Sequence, residues 1–144
     1  MKNMLLILAA VFAFGVFAPL ASAQTQDRMS DKDIESLMKN VINDTKTFRT
    51  TFDSGVNHST IRKTSQAKDA KNLVETFLNQ ANTMLTTFQS TKKADDSLNT
   101  LSGTAAQIDQ FLGSVQLGPQ TGEAWSKVKS ELEILRKQFF RSQS

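Results

Sequence analysis

The chain has no cysteine and a single histidine. Each scarcity excludes a chemistry. Without cysteine there is no disulfide, no Cys-x-x-Cys-His attachment for a c-type haem and no thiol-lipidated amino terminus. With His58 as the sole imidazole, a serine nucleophile has one conceivable base, and no Gly-x-Ser-x-Gly elbow accompanies it. A carboxylate-bridged di-iron bundle needs Glu-x-x-His on two helices, and the sequence has none. A b-type haem needs inward axial ligands. Met38 and Met84 fall on apolar stripes, but no inward histidine faces them, so both read as core gap-fillers. Glycine-rich phosphate loops are missing, and no strand-like alternation appears. No cofactor and no metal are expected.

Charge of one sign is also lacking. Seventeen basic side chains stand against fourteen acidic ones. That balance is too even to imply nucleic acid as a partner. Asp95 with Asp96, and Glu131 with Glu133, are the close carboxylate pairs. Helical neighbours one or two apart do not face each other. Asp95 and Asp96 instead suit the first turn of a helix, where negative charge meets the helix dipole favourably.

The one long hydrophobic run is Met4 to Phe17. Lys2 precedes it, and Pro19 and Ala21-Ser22-Ala23 follow. A positive start, a short apolar stretch and an Ala-x-Ala site describe an export signal cleaved after Ala23. A retained anchor is the alternative, but the run is short of the roughly 20 residues a spanning helix needs. Residues 1–23 are therefore expected to be a cleaved signal peptide, residues 24–29 a flexible start and residues 30–144 one domain. The expected location is periplasmic or secreted, with no stable membrane anchor after cleavage. Much of the 39% hydrophobic content lies in the leader, so the remaining core must be lean.

Four helical patterns fill the rest. Ser30-Asp31-Lys32-Asp33 forms a loose capping box ahead of the first. Ile34, Leu37, Met38, Val41, Ile42, Phe48 and Phe52 mark its apolar face, and Gly55 is the expected stop. Residues 56–64 read as a connection in which Ile61 packs over the bundle end. The second helix starts near Ser65 and carries Ala67, Ala70, Leu73, Val74, Phe77, Leu78, Ala81, Met84, Leu85 and Phe88. After a turn at 90–93, the third carries Ala94, Leu98, Leu101, Ala105, Ile108, Phe111, Leu112 and Val115. Gly103 within it either weakens the helix or permits a close crossing. Gly118-Pro119 breaks the chain, and Trp125, Val128, Leu132, Leu135 and Phe139 stripe the fourth. Helices of about 20–25 residues, roughly 30–37 Å long, joined by short connections predict an all-α, antiparallel up-down-up-down four-helix bundle. Two long hairpins that dimerise are the alternative.

Few residues stand out as site candidates. Trp125 reads as a cap on the core or as a binding anchor, since Trp is common at interface hot spots. Adjacent Phe139 and Phe140 cannot both face one narrow core, so with Arg141 they offer a small partner-binding or membrane-touching patch. Arg49 and Asp109 read as solvated flanks rather than as a buried pair. Arg49, Lys46, Glu75 and Asp109 are the residues that could line a charged cavity if the chain were an enzyme. His58 reads as an exposed loop residue.

Residues 106–112, Ala-Gln-Ile-Asp-Gln-Phe-Leu, precede Leu117, Trp125, Val128, Glu131-Leu132 and Leu135. Together with Phe48-Arg49 and Phe52-Asp53, they resemble a group of small exported bacterial helical proteins of unknown function. Relatives in that group often carry Tyr where this chain has Phe139. The resemblance implies export and a helical fold and assigns no activity. Leu85-Thr86-Thr87-Phe88-Gln89 is similar to the Leu-Thr-x-x-Gln motif of periplasmic chaperones of the Spy and CpxP type, which implies a holdase. The reading expected first is an exported, non-enzymatic helical protein, monomer or homodimer, that binds a protein or envelope component. A periplasmic holdase and an enzyme with a motif-less inter-helix pocket are its alternatives.

Overall fold

The computed structural model describes residues 28–140. The expected signal peptide, residues 24–27 and Arg141 lie outside these residues. Four helices follow in order: α1 Asp31–Asn57, α2 Ser65–Thr91, α3 Asp95–Ser114 and α4 Pro119–Phe140. Every helix packs on its sequence neighbours, and α4 closes the ring against α1. The four helices therefore bury one another within a single chain, as a four-helix bundle, rather than as two hairpins awaiting a partner. The α1–α4 interface is the most extensive and α3–α4 the least.

Side-chain contacts give the helix directions. At one end of the bundle, Glu35 near the start of α1 accepts from Lys92 just past the end of α2, at 3.4 Å. Arg49 meets Glu75 at 2.7 Å further along, and Asp53 meets Lys71 at 3.5 Å near the other end. The Met29 N–H, ahead of α1, donates to Gln138 at the end of α4, and the Thr121 hydroxyl near the start of α4 reaches the Thr51 carbonyl at 3.2 Å. Asp109 late in α3 meets Trp125 early in α4. Each of these sequence-adjacent or ring-closing pairs runs antiparallel. Met29, at the edge of the expected flexible start, also packs against the core.

Local chemistry explains the ends. The Ser30 hydroxyl accepts the Asp33 N–H and donates to its carboxylate at 2.6 Å, which opens α1. At the start of α2 the Thr64 hydroxyl accepts the Ala67 N–H at 3.2 Å and donates to the Ile61 carbonyl. No side chain caps α3, where Asp95 and Asp96 supply charge to the first turn. Gly55 does not stop α1, which continues to Asn57 and ends on His58. Its missing side chain serves another purpose: the Leu117 carbonyl oxygen would lie 2.6 Å from a Cβ placed there. Gly103 has open space around it, so it makes no close crossing. The first two helices are 27 residues each, and α3 and α4 are 20 and 22. The lengths match in pairs rather than across the bundle.

Most apolar stripes are buried as their spacing predicts. Aromatic rings join them into a continuous ladder. Phe111 meets Phe52 at 5.6 Å, Phe52 meets Phe48 at 5.5 Å, Phe48 meets Trp125 at 4.8 Å, and Trp125 meets Phe77 at 5.3 Å. That path visits all four helices. Such tilted and edge-on pairs contribute about 0.5–1.5 kcal/mol each beyond burial. Thr45, Thr104 and Thr121 are also buried within the stripes. Each hydroxyl bonds back to a carbonyl four residues earlier, so each presents its methyl group to the core.

Candidate functional site

Trp125 is 2% exposed, with its ring between Phe48 of α1 and Phe77 of α2. Its indole N–H donates to Asp109 of α3 at 2.8 Å. It is thus a core residue held by all three other helices, and it offers no face to a partner. The reason is register: position 125 faces the bundle axis at the level where α1 and α2 bring up phenylalanines. Phe139 and Phe140 are both partly buried against the core, and Phe139 stands edge-on to Phe88 at 5.8 Å. The larger exposed side chain nearby is Ile134, at 44%.

The charged residues considered for a cavity are not brought together. Arg49 pairs with Glu75 on the α1–α2 surface. Asp109 pairs with Lys129 at 2.8 Å and lines a different groove, between α3 and α4. Lys46 is exposed on α1. The Arg49–Asp109 pair therefore does not form. His58 is exposed, with its Nδ1 2.7 Å from the Ser54 carbonyl oxygen. Among the described residues no group of three or more His, Asp or Glu could hold a metal ion. Among them, too, no helix is long and apolar enough to cross a membrane.

Two further arrangements emerge from the structure. The first lies between α1 and α4. Asp44, with a side chain 16% exposed, receives Lys127 at 2.9 Å. Glu131, one turn further along α4, has a buried Oε2 with no hydrogen-bond partner. Withdrawal from water, followed by the neighbouring Asp44, pushes the Glu131 carboxyl up from 4.5 to about 7, against the pull of Lys127. A proton on Glu131 turns an orphaned acceptor into a donor toward Asp44. Asp44 in turn raises Lys127. The pairing depends on the α1–α4 register, which spacing within one helix cannot supply.

The second is the corner where α1 gives way to α2. A depression of about 330 Å³ is lined by Asn57, Arg62, Lys63, Lys68, Lys71 and Asn72, with Thr64 and Ala67 at its base. Four of these side chains are cations. Over residues 57–72 the only carboxylate is Asp69. Lys71 pairs with Asp53 at 3.5 Å and donates to the side-chain Oδ1 of Asn57 at 3.2 Å. Among the described residues Arg62, Lys63 and Lys68 make no ion pair. The sequence signal was available as a local run of four cations against one anion, and the near-even total hid it.

The remaining grooves differ in character. One of about 370 Å³ between α2 and α3 is lined by neutral hydroxyls and amides, including Thr76, Asn79, Gln80 and Thr100, with Asp96 at its edge. Another, about 540 Å³, lies over Gly55 and Leu117 beside His58. No protein-family model, curated protein or solved structure matches the chain.

Proposed function

We propose that this is an exported, non-enzymatic helical protein that binds a component of the cell envelope. The observation that carries the reading is the distribution of its chemistry. The aromatic ladder fills the axis of the bundle, and the charged side chains are spread over separate outer interfaces. An enzyme site between helices needs converging acids, bases or donors in a recess that excludes water. The recesses here open on the surface; several are lined by polar and charged groups suited to recognition, and one beside Leu112, Val115 and Pro119 is mainly apolar. Export rests on the leader sequence alone: Lys2, the Met4–Phe17 run and Ala21-Ser22-Ala23.

The test has two parts. Cell fractionation is expected to find the protein outside the cytoplasm with Gln24 as its amino-terminal residue. The purified exported protein is expected to co-sediment saturably with isolated envelopes. Cytoplasmic retention with an intact Met1 overturns export, and absence of saturable sedimentation overturns envelope binding. The holdase alternative requires an apolar and basic client surface. Ile134 is the one large hydrophobic residue strongly exposed among those described, so no observation favours it. Suppression of client aggregation is expected to be absent.

A further inference from the structure

We propose that the depression at the α1–α2 corner is a binding site for a phosphate group. The proposal deepens the envelope-binding reading and rests on it for the source of that phosphate. Three arguments converge on the ligand class.

The first is unspent charge. Arg62, Lys63 and Lys68 are exposed cations gathered on one depression, and none has a carboxylate within ion-pair reach among the described residues. Elsewhere Arg49 pairs with Glu75, Lys127 with Asp44 and Lys92 with Glu35; Lys32 and Lys46 on α1 also lack an ion pair among the described residues but do not line this depression. Of the nearby carboxylates, Asp53 is taken up by Lys71, and Asp69 makes no ion pair with Arg62, Lys63 or Lys68. Like charges held close together repel, so the cluster is favourable only when an anion joins it.

The second is donor chemistry. Arginine and lysine are donors with no acceptor, and the guanidinium presents a planar fork. Lys71 already occupies the Asn57 carbonyl oxygen, which leaves the Asn57 amide N–H₂ as the free half of that side chain. Asn72 adds a second amide on the rim. A fork, two ammonium groups and an amide outnumber the two oxygens of a carboxylate. A tetrahedral, multiply charged oxyanion can use them all.

The third is the setting. α2 opens beneath the depression with no acidic residue in its first turn. The positive end of that helix is therefore not offset locally by the chain and adds to the field of the side chains. The depression is about 330 Å³, within the roughly 300–1,000 Å³ of small-molecule sites. It has space for a phosphate ester and part of its bearer.

Binding of inorganic pyrophosphate to the purified exported protein tests the site directly, followed by amide chemical shifts. Saturable shifts are expected at Arg62, Lys63, Lys68 and Asn72, weakening as salt rises. Arg62→Gln with Lys68→Gln leaves the left-handed backbone at Lys63 untouched and is expected to lower affinity by roughly tenfold or more. The control, Lys32→Gln with Lys46→Gln, removes the same charge from other exposed positions and is expected to change affinity by less than about twofold. Equal loss in both double variants overturns the site, because binding then follows net charge alone. No saturable shift in the folded wild type also overturns it.

Vesicles separate the sources. Binding to phosphatidylglycerol-containing vesicles but not to phosphatidylcholine, lost in Arg62→Gln/Lys68→Gln, assigns the phosphate to a lipid headgroup. Pyrophosphate binding without vesicle binding assigns it to a soluble phosphate. The two readings also fail separately. Envelope sedimentation by a protein that shows no saturable pyrophosphate shift removes the phosphate site and leaves envelope binding standing. Intact pyrophosphate binding without envelope sedimentation supports the site and removes the envelope partner.

Discussion

Two glycines, Gly55 on α1 and Gly103 on α3, stand in opposite relation to their surroundings. A Cβ on Gly55 would lie 2.6 Å from the Leu117 carbonyl oxygen and 2.9 Å from its Cβ, so the α3–α4 connection would have to move away from α1. Gly55→Ala is expected to cost about 1–3 kcal/mol, the usual penalty for overpacking. A Cβ on Gly103 meets nothing, and there Gly→Ala is expected to gain about 0.5–1 kcal/mol by relieving the cost of glycine in a helix. Urea unfolding of the two variants checks the pair, and a gain at Gly55 would show that the Leu117 backbone yields freely. Neither outcome could be read from the sequence, because both depend on what lies opposite. The buried threonines were legible in principle. Thr121 stands four residues before Trp125 in a stripe that continues through Val128, Leu132 and Leu135. Position alone marks it as core once a threonine that bonds back to its own helix is counted with valine.

Each helix end makes its own demand. Lys92 closes α2 in the left-handed region, at φ 58°, where side chains other than glycine are disfavoured by roughly 1–2 kcal/mol. Lys92→Gly relieves that strain and gives up the exposed, weak contacts of its ammonium with Glu35 and with the Phe88 ring. A net gain of about 0.5 kcal/mol is expected in thermal unfolding. Between α1 and α4 the demand is on pH. The Glu131 carboxyl titrates near 7 in the fold against 4.5 as its ordinary value, so the folded state holds a proton that the unfolded chain releases. Its stabilising effect is therefore complete below about 4.5 and declines as pH rises through about 7. Because part of the carboxyl still reaches water, a loss of about 1 kcal/mol, or roughly 3–6 °C in Tm, is expected between pH 5 and 8. Glu131→Gln is expected to flatten that slope, and an unchanged slope would locate the titration elsewhere. The helices themselves were legible from their apolar spacing, including the starts at Ser65 and Pro119. The Asp44–Glu131 pair was not, since two carboxylates 87 positions apart carry no mutual signal until the register of α1 on α4 is fixed.

At the scale of the whole molecule, the bundle completes its own core. With Ile134 alone as a strongly exposed large hydrophobic among the described residues, there is no apolar patch of the size that stable dimers bury. Sedimentation equilibrium is expected to return a monomer at micromolar concentration, and a dimer there would mean that polar faces carry the association. Overall charge is legible as nearly balanced, but that total conceals its uneven placement, with four cations against one anion over residues 57–72. One consequence of the core concerns observation rather than stability. The chain has one tryptophan and no tyrosine, and that tryptophan touches Phe48, Phe77 and Asp109 from the three other helices. Its ultraviolet emission therefore reports a single place where all four helices meet. Unfolding that parts the helices at that level should shift the emission toward the red as water reaches the indole. A ligand seated at the α1–α2 corner should leave its wavelength unchanged. The native sequence thus carries an optical gauge of its own integrity, with no label to attach and no second fluorophore to subtract.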